Sequence, residues 1–467
     1  MGIPQARLQR RRRGMSAVTD PTPSNADKLE SGQQRKQRII GFVLIALAVF
    51  VVTVLGAEGD ATFRLSRPRD EWALPNLVVP AGPFSYIAAA LLAFLGARQF
   101  IRGGGRWTYL SLGIGLLIVV AAFLVWATAG KAFSLTGMLQ ATMVRAVPIA
   151  LGGLAGVLCE RVGVVNIAIE GMLLAGAFTG ALMGSVLGGV PGLVAAVAVG
   201  GIFGFILAAL VVTYRMDQII AGVVINLFVL GLTSYVTSQV FSEMRHLNNA
   251  PVFRAYKIPV LGDIPVIGPI FFNQNLFVYG ALILVAVSTY YLFHTRGGLR
   301  ARAVGEHPRA ADTLGVNVYR TRYIHVTLGG MVAGFGGAWF TLGSVGRFDE
   351  NMTGGRGFIG LAAMIFGRWH PVGALAAALV FGFADSLQQK LAILNTPIPS
   401  EFLAMSPYIA TIIVVAGLVG RAVRRRRTAS PTLRRPGRIA RPGALSGDLL
   451  RRLRAACAAS SQVRSPT

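Results

Sequence analysis

Long apolar stretches alternate with short polar segments along the chain. A helix needs about 20 apolar residues to cross the hydrocarbon core of a bilayer. Eleven stretches come close to that length: 39–56, 77–97, 107–129, 138–159, 168–188, 191–213, 219–240, 275–293, 323–345, 371–388 and 403–420. Backbone groups in lipid must form their hydrogen bonds internally, so each stretch predicts a transmembrane helix. The predicted fold class is an all-α polytopic membrane protein with about 10–12 transmembrane helices.

A further apolar run, 357–367, is too short to cross a bilayer alone. It is bounded by glycines and is followed by Pro371. Two interpretations are open. The run is either one half of a re-entrant hairpin with 371–388 or a short tilted span.

The basic residues test this set of spans, because arginine and lysine next to a span are retained in the cytoplasm. With a cytoplasmic N-terminus and alternating spans, the arginine-containing segments 98–106, 160–166 and 294–322 fall inside. The C-terminal tail also falls inside if 357–367 and 371–388 enter and return as a pair. The first apolar stretch follows a 38-residue basic leader and exceeds the roughly 7–15 residues of a signal-peptide core, so it predicts an uncleaved span.

The composition agrees with a membrane protein. Of the 467 residues, 54% are hydrophobic and 14% are charged, whereas soluble domains are about 25% charged. Eight of the 57 glycines recur at four-residue spacing at 176–188, 200–204 and 330–334, which favours close helix packing. An ordinary soluble enzyme and a disordered chain are therefore excluded. Cys159 and Cys457 suggest neither a disulfide framework nor a metal site.

The formal net charge of +26 lies mainly in the two ends of the chain. Residues 1–38 carry a net charge of +6 and residues 421–467 carry +12. Both ends are predicted to be disordered basic cytoplasmic tails that are attracted to anionic lipid, and nucleic-acid binding is not expected.

Motifs of enzymes are absent from the sequence. No G-x-x-x-x-G-K-[ST] phosphate cradle, H-E-x-x-H zinc motif or G-x-S-x-G nucleophile elbow occurs. The chain is therefore predicted to bind no ATP, cofactor or metal of its own and to have no catalytic residues.

A polar cluster interrupts the apolar pattern at 160–171. Asn166 and Glu170 are four residues apart and share one face of a helix. Ionisable groups at membrane depth usually face a cavity or a partner. Either they lie on a broken helix that lines a solute path, or Glu170 forms a structural ion pair with Arg145 or Arg161.

A second interruption lies at 354–371 and includes Phe358 and Trp369. Interrupted segments in corresponding halves of a membrane protein indicate a midplane substrate site. The alternative is that Arg368, Trp369 and His370 only mark an interfacial turn.

The long basic loop contains a short helix signal. Pro308 is typical of a first helical turn and Gly315 of a helix end, with Ala310, Ala311 and Leu314 as a small apolar surface. This predicts a cytoplasmic docking helix, with a loop held to lipid by its arginines as the alternative.

Four segments resemble the membrane permease subunits of ABC importers that carry simple sugars and branched-chain amino acids, and among them the nucleoside-type permeases. They are E-R-V-G-V-V-N-I-A-I-E-G at 160–171, R-A-V-G-E-H-P-R-A-A-D-T-L-G-V-N-V-Y at 302–319, G-F-I-G-L-A-A-M-I-F-G-R-W-H-P-V-G-A at 357–374 and F-G-F-A-D-S-L-Q at 381–388. The resemblance covers roughly 136–420. It leaves 39–135, an extension with about three predicted helices, unexplained.

The resemblance implies a non-enzymatic transport subunit in a bacterial inner membrane. Its implied partners are cytoplasmic ABC ATPase subunits that bind ATP and Mg²⁺, a second and paralogous permease chain, and an extracytoplasmic solute-binding protein. The family's helix that contacts the ATPase corresponds to Glu306, Pro308, Arg309, Ala310, Ala311, Asp312 and Gly315.

The expected solute is a nucleoside. The candidate pathway residues are Asn166, Glu170, Asn226, Phe358 and Trp369, with Asp385 and Gln388 as further polar groups near a span end. The alternatives are import of a ribose-like sugar by the same architecture, an ion-coupled secondary transporter and, without motif support, an intramembrane enzyme.

Overall fold

The computed structural model describes residues 25–66, 73–102 and 106–394, together with Met405. The predicted span 403–420 and the predicted C-terminal tail therefore lie outside the described residues, apart from Met405. Most of the predicted N-terminal tail does so as well.

Thirteen α-helices occur in the described residues. They are α1 (Asn25–Val54), α2 (Ala81–Arg102), α3 (Arg106–Ala127), α4 (Leu135–Glu160), α5 (Ile169–Leu187), α6 (Gly189–Ala208), α7 (Gln218–Val236), α8 (Leu276–His294), α9 (Arg296–Glu306), α10 (Pro308–Thr313), α11 (Val318–Phe340), α12 (Arg356–Phe366) and α13 (Pro371–Ile393). Ten of them are long and apolar enough to cross a membrane. They coincide with ten of the eleven predicted stretches and confirm the all-α polytopic fold class.

Three of these helices are lengthened by one π-helical turn, namely α6 by Ala209–Thr213, α7 by Thr237–Phe241 and α11 by Thr341–Val345. Each wider turn carries the helix to the end of its apolar stretch. The ends of these spans therefore agree with the hydropathy pattern, although the last turn of each is π-helical and not α-helical.

A small sheet joins the N-terminal helices to the rest of the chain. Strand β1 (Asp60–Arg64) pairs antiparallel with β2 (Leu77–Pro80) and parallel with β3 (Ala132–Ser134). The second predicted stretch therefore begins as a strand, because the backbone of 77–80 pairs with β1 before α2 starts. A second, two-stranded sheet pairs β4 (Tyr256–Lys257) with β5 (Asn273–Gln274).

Helices α4, α5 and α11 form the centre of the bundle, and α4 is buried along most of its length. Small residues allow their close approach to each other and to α6. A Cβ atom on Gly176 would lie 2.4 Å from the Gly334 carbonyl oxygen, and one on Gly200 would lie 2.3 Å from that of Gly330. The glycine spacing in the sequence thus serves helix packing.

The bundle has a strongly basic end, defined by the segments 161–168, 214–217 and 295–317. Gly163 lies against Gly305, and the Val165 N–H donates to Gln218 Oε1 at 2.6 Å, which brings the three segments together. Six arginines lie in these segments: Arg161, Arg215, Arg296, Arg300, Arg302 and Arg309. At the opposite end lie the three-stranded sheet and the segment 242–275.

The short helix α12 crosses only the half of the bundle that is nearer to the basic end. The chain leaves the opposite end at Gly346, whose carbonyl accepts from the Ala250 N–H at 2.7 Å. Helix α12 then starts beside Glu170, and the turn after it contacts Arg161 at the basic end. Helix α13 returns to the opposite end, where Lys131 donates to the Leu394 carbonyl. Of the two interpretations of 357–367, the structure supports the short span.

Candidate functional site

Glu170 holds the start of α12. Its carboxylate accepts the backbone N–H of Gly355 at 2.8 Å and that of Gly357 at 2.6 Å. The N–H groups at the start of a helix have no partner within that helix, and a carboxylate placed there also interacts favourably with the helix dipole. Gly357 is required at this contact, because a Cβ atom would lie 2.7 Å from the Glu170 backbone.

The ion pairs proposed for Glu170 do not form within the described residues. Arg145 instead donates to Asp385 at 3.0 Å and to Gln389. Arg161 donates two N–H groups to the Trp369 carbonyl at 2.9 and 2.6 Å. Within the described residues Glu170 therefore forms no ion pair, and its carboxylate is engaged by the backbone at the start of α12.

Two asparagines stabilise the non-helical break before α5. Asn226 accepts the Gly171 N–H at 2.7 Å and donates to the Ile167 carbonyl at 2.9 Å. Asn166 is completely buried and directs its amide N–H at the Cys159 and Met172 sulfur atoms, at 3.5 and 3.6 Å. Both side chains therefore take part in the packing of 161–171.

Of the remaining two candidates, Phe358 lies within α12 and Trp369 lies in the turn that follows it. Phe358 is half exposed on the helix surface. Trp369 lies at the basic end, where its indole N–H donates to Glu160. Arg368 and Trp369 both have a positive φ angle, which produces the sharp turn into α13.

A cavity of about 470 Å³ lies between α4, α11, α13 and the segment 344–356. Its lining combines aromatic and polar side chains: Gln140, Arg145, Trp339, Phe340, Ser344, Asp349, Arg356 and Gln389, with Gly137, Ala141, Val144, Val345 and Met352. None of the five pathway candidates is among these lining residues.

The polar side of the cavity is organised around Asp385. This carboxylate accepts Arg145 at 3.0 Å and lies 3.5 Å from Arg356, so two guanidinium groups share one acid. The Arg356 guanidinium also lies 5.6 Å from the centre of the Phe340 ring. Hydrogen-bond donors therefore outnumber acceptors on this side.

Trp339 lines the cavity, but its indole N–H does not open onto it. The side chain is 7% exposed, and its indole N–H is buried without a partner within the described residues. Leaving a buried donor unpaired costs about 1–3 kcal/mol.

Two isolated charges in the sequence indicate this cavity, although they belong to no motif. Arg145 and Asp385 are single charges within two apolar stretches, and opposite charges at membrane depth tend to pair. The sequence motifs indicate Asp385 as a polar group near a span end, and they indicate Arg145 only as a partner for Glu170. The neighbouring Gln389, and not Gln388, lines the cavity.

The docking helix predicted at the basic end is α10. It buries Ala311 and leaves Leu314, just beyond its end, 83% exposed. Gly315 has a φ of +80°, which ends the helix as predicted. Ala310 and Leu314 form an exposed surface, while Ala311 packs inward.

Aromatic stacking connects α9 to the turn after α12. The Phe293 ring lies 5.1 Å from the Arg302 guanidinium and 5.3 Å from that of Arg161. His370 stacks on the same ring at 4.6 Å. Burial, and then the charge of Arg161, lower the pKa of His370, so its neutral form predominates near pH 7.

Comparison with known proteins covers the main part of the bundle. The family model described as "Branched-chain amino acid transport system / permease component" matches residues 138–420. The guanosine ABC transporter permease protein of Bacillus subtilis is 43% identical over 295 residues, which are 61% of this chain and 92% of that protein. The nucleoside ABC transporter permease protein of Lactococcus lactis is 38% identical over 291 residues, covering 60% and 92%.

A third relative, a putative glucose ABC transporter permease of Haloferax volcanii, is 33% identical over 303 residues, covering 60% of this chain and 91% of that protein. No solved structure gives a significant match. The family model spans more than half of the chain, and these relatives are covered almost completely. The chain therefore belongs to the family of permease components of the branched-chain amino acid transport type and is a multi-pass transport subunit.

Proposed function

We propose that this chain forms the translocation pathway of an ATP-binding-cassette importer for nucleosides. The observation that carries the proposal is its 43% identity to a guanosine permease over 92% of that protein. The cavity beside Asp385 supports it, because its volume of about 470 Å³ is that of a small-molecule site.

The cavity supplies the groups that a nucleoside requires. Trp339 and Phe340 provide aromatic surface next to which a base can stack. The two arginines donate hydrogen bonds to base or ribose oxygens, and Asp349 accepts from hydroxyl groups. The candidates Asn166, Glu170 and Asn226 would then act indirectly, by holding α12 and α5 beside the pathway.

The basic end is the proposed contact with the cytoplasmic ATPase subunits. Glu306, Pro308, Arg309, Ala310, Ala311, Asp312 and Gly315 form or flank the exposed helix α10. ATP and Mg²⁺ would bind to those subunits. A displacement of α9 would reach the cavity through Phe293, the turn at Trp369 and α12, which begins at Arg356.

The same arrangement supports the location and the remaining partners. The arginine-rich end faces the cytoplasm of a bacterial inner membrane under the positive-inside rule, which also places both termini inside. A paralogous second permease is proposed because Bacillus subtilis has a second guanosine ABC transporter permease protein, 26% identical to this chain. An extracytoplasmic binding protein would deliver the solute to the opposite end.

A sugar is the second candidate solute, because the Haloferax volcanii relative is a putative glucose permease. Donors and aromatic rings also suit a ribose-like sugar. The two solutes differ in whether a base occupies the cavity.

Uptake of labelled guanosine by cells with and without this chain tests the proposal. We expect deletion to abolish uptake, and an excess of unlabelled nucleoside, but not ribose, to block it in cells that have the chain. Unchanged guanosine uptake after deletion would contradict a nucleoside substrate, and labelled ribose would then test the sugar alternative.

A further inference from the structure

A second cavity lies at the basic end, separate from the one beside Asp385. It has a volume of about 330 Å³ and is enclosed by the end of α6, by α10 and by the start of α11. Three arginines from these different segments line it: Arg215, Arg309 and Arg322. This convergence of residues distant in the sequence is produced by the tertiary fold.

The cavity carries a net positive charge. Asp312 is the single acidic residue among its lining side chains, and within the described residues it forms no salt bridge. Arg322 donates to the Val162 carbonyl at 3.2 Å, which fixes its guanidinium at the edge of the cavity. Guanidinium groups arranged in this way suit the oxygens of a phosphate group.

The depth of the cavity favours a lipid phosphate. Val211, Val212 and Val318 form an apolar wall, and they lie at the ends of two membrane-spanning helices. Tyr214 and Tyr319 are 73% and 54% exposed beside it, and tyrosine is enriched at membrane–water interfaces. A charged face next to an apolar wall at this level matches a phospholipid, whose headgroup phosphate adjoins its acyl chains.

We propose that this cavity binds the headgroup phosphate of an anionic phospholipid in the leaflet at the basic end. The site includes Pro308 and Arg309 of α10, so the bound lipid holds α10 against α6 and α11. This inference stands independently of the transported solute.

Binding of phosphatidylglycerol to the purified full-length chain in nanodiscs tests the site. The variant R215Q/R309Q removes two of the three cavity charges. The matched control R296Q/R300Q removes two exposed arginines of α9 at the same end, outside the cavity. Retained lipid is measured by native mass spectrometry, and the midpoint of thermal unfolding is compared between phosphatidylglycerol and phosphatidylcholine nanodiscs.

We expect phosphatidylglycerol to raise the unfolding temperature of the unmodified chain and of the control. In R215Q/R309Q this shift should disappear and the affinity should fall at least about a hundredfold, since each guanidinium–phosphate hydrogen bond contributes at least about tenfold. An equal loss in the control would show non-specific attraction and overturn the site.

Two further results would also overturn it. A similar stabilisation by millimolar inorganic phosphate in phosphatidylcholine nanodiscs would show a site for a free anion. If R215Q/R309Q kept its response to phosphatidylglycerol but lost association with the ATPase subunits, the arginines would serve a protein partner instead.

Discussion

The hydrogen-bond partners of single polar side chains at membrane depth indicate what each one does. Glu170 is the clearest example, because its carboxylate accepts two backbone N–H groups of α12 and no side-chain donor within the described residues. Since α12 begins with Arg356, the cap also sets the position of a cavity charge. The Glu170 carboxylate thus positions the start of α12.

Replacing Glu170 with glutamine should destabilise the protein. Glutamine retains one acceptor oxygen but presents an amide donor to the second N–H, so about 1.5–3 kcal/mol is lost, the contribution of one hydrogen bond to a charged group. Thermal unfolding in detergent measures the effect. The exposed Glu58, changed in the same way, is the control, and an equal stability of both variants would contradict the capping role.

Replacing Asp385 with asparagine should impair transport. Arg145 and Arg356 would lose their shared carboxylate, and separating a partly buried ion pair costs more than the roughly 1.4 kcal/mol that corresponds to a tenfold change. We therefore expect guanosine uptake to fall at least about tenfold. The control is Asp263→Asn, which removes a surface pair with Lys257. Normal uptake by Asp385→Asn would contradict a role of Asp385 and its two arginines in the pathway.

Helix pairs of the bundle centre depend on glycines that no other residue can replace. Helix α6 approaches α11 so closely that a Cβ atom on Gly200 would lie 2.3 Å from the Gly330 carbonyl oxygen and 2.6 Å from the Gly334 Cα. Hydrophobicity does not drive helix association within lipid. The association therefore depends on close van der Waals contact between the helix backbones.

Gly200→Ala should therefore reduce folding yield and stability, because overpacking a tight contact costs about 1–3 kcal/mol. The matched variant Gly231→Ala lies within α7, where a Cβ atom has no neighbour within 4 Å. It should be neutral or stabilising by up to about 1 kcal/mol. Size-exclusion profiles and unfolding temperatures of the two variants compare them directly, and a similar result for both would mean that α6 and α11 can separate without cost.

On the scale of the whole described bundle, a polar cavity lies toward one end and the exposed helix α10 lies at the other, with α12 between them. Beyond this family-matched part, α1–α3 pack around Leu44, Val51 and Leu92. The sheet attaches them to α4 and α13 through Phe63, Phe133 and Met138. The sheet thus attaches the extension to the bundle at the end opposite to α10.

Leu314→Glu should weaken binding of the ATPase subunits while leaving the stability of the permease unchanged. Leu314 is 83% exposed, so its replacement should not disturb internal packing and should act through an external contact. Co-purification with the ATPase and unfolding temperature together distinguish the two effects. The exposed Leu261 at the opposite end is the control. Full ATPase association of Leu314→Glu would contradict the docking role of α10.

The amino-acid sequence by itself determined the fold class, the positions of ten spans, the helix at 308–313 and the family. These properties are local, because the length of an apolar stretch, a proline or glycine at a helix end and a contiguous motif can each be recognised without knowing what packs against them. The distribution of arginines likewise indicates from sequence alone which segments lie at the basic end.

The tertiary structure alone decided which polar groups face each other. Arg145 and Asp385 are 240 residues apart, and Glu170 and Gly355 are 185 apart. Whether such groups meet depends on the rotation and depth of each helix. Those are set by close backbone packing between helices, as at Gly200 and Gly330, which hydropathy does not encode. For this reason Glu170 turned out to cap a helix, while the cavity formed around Asp385 and Trp339.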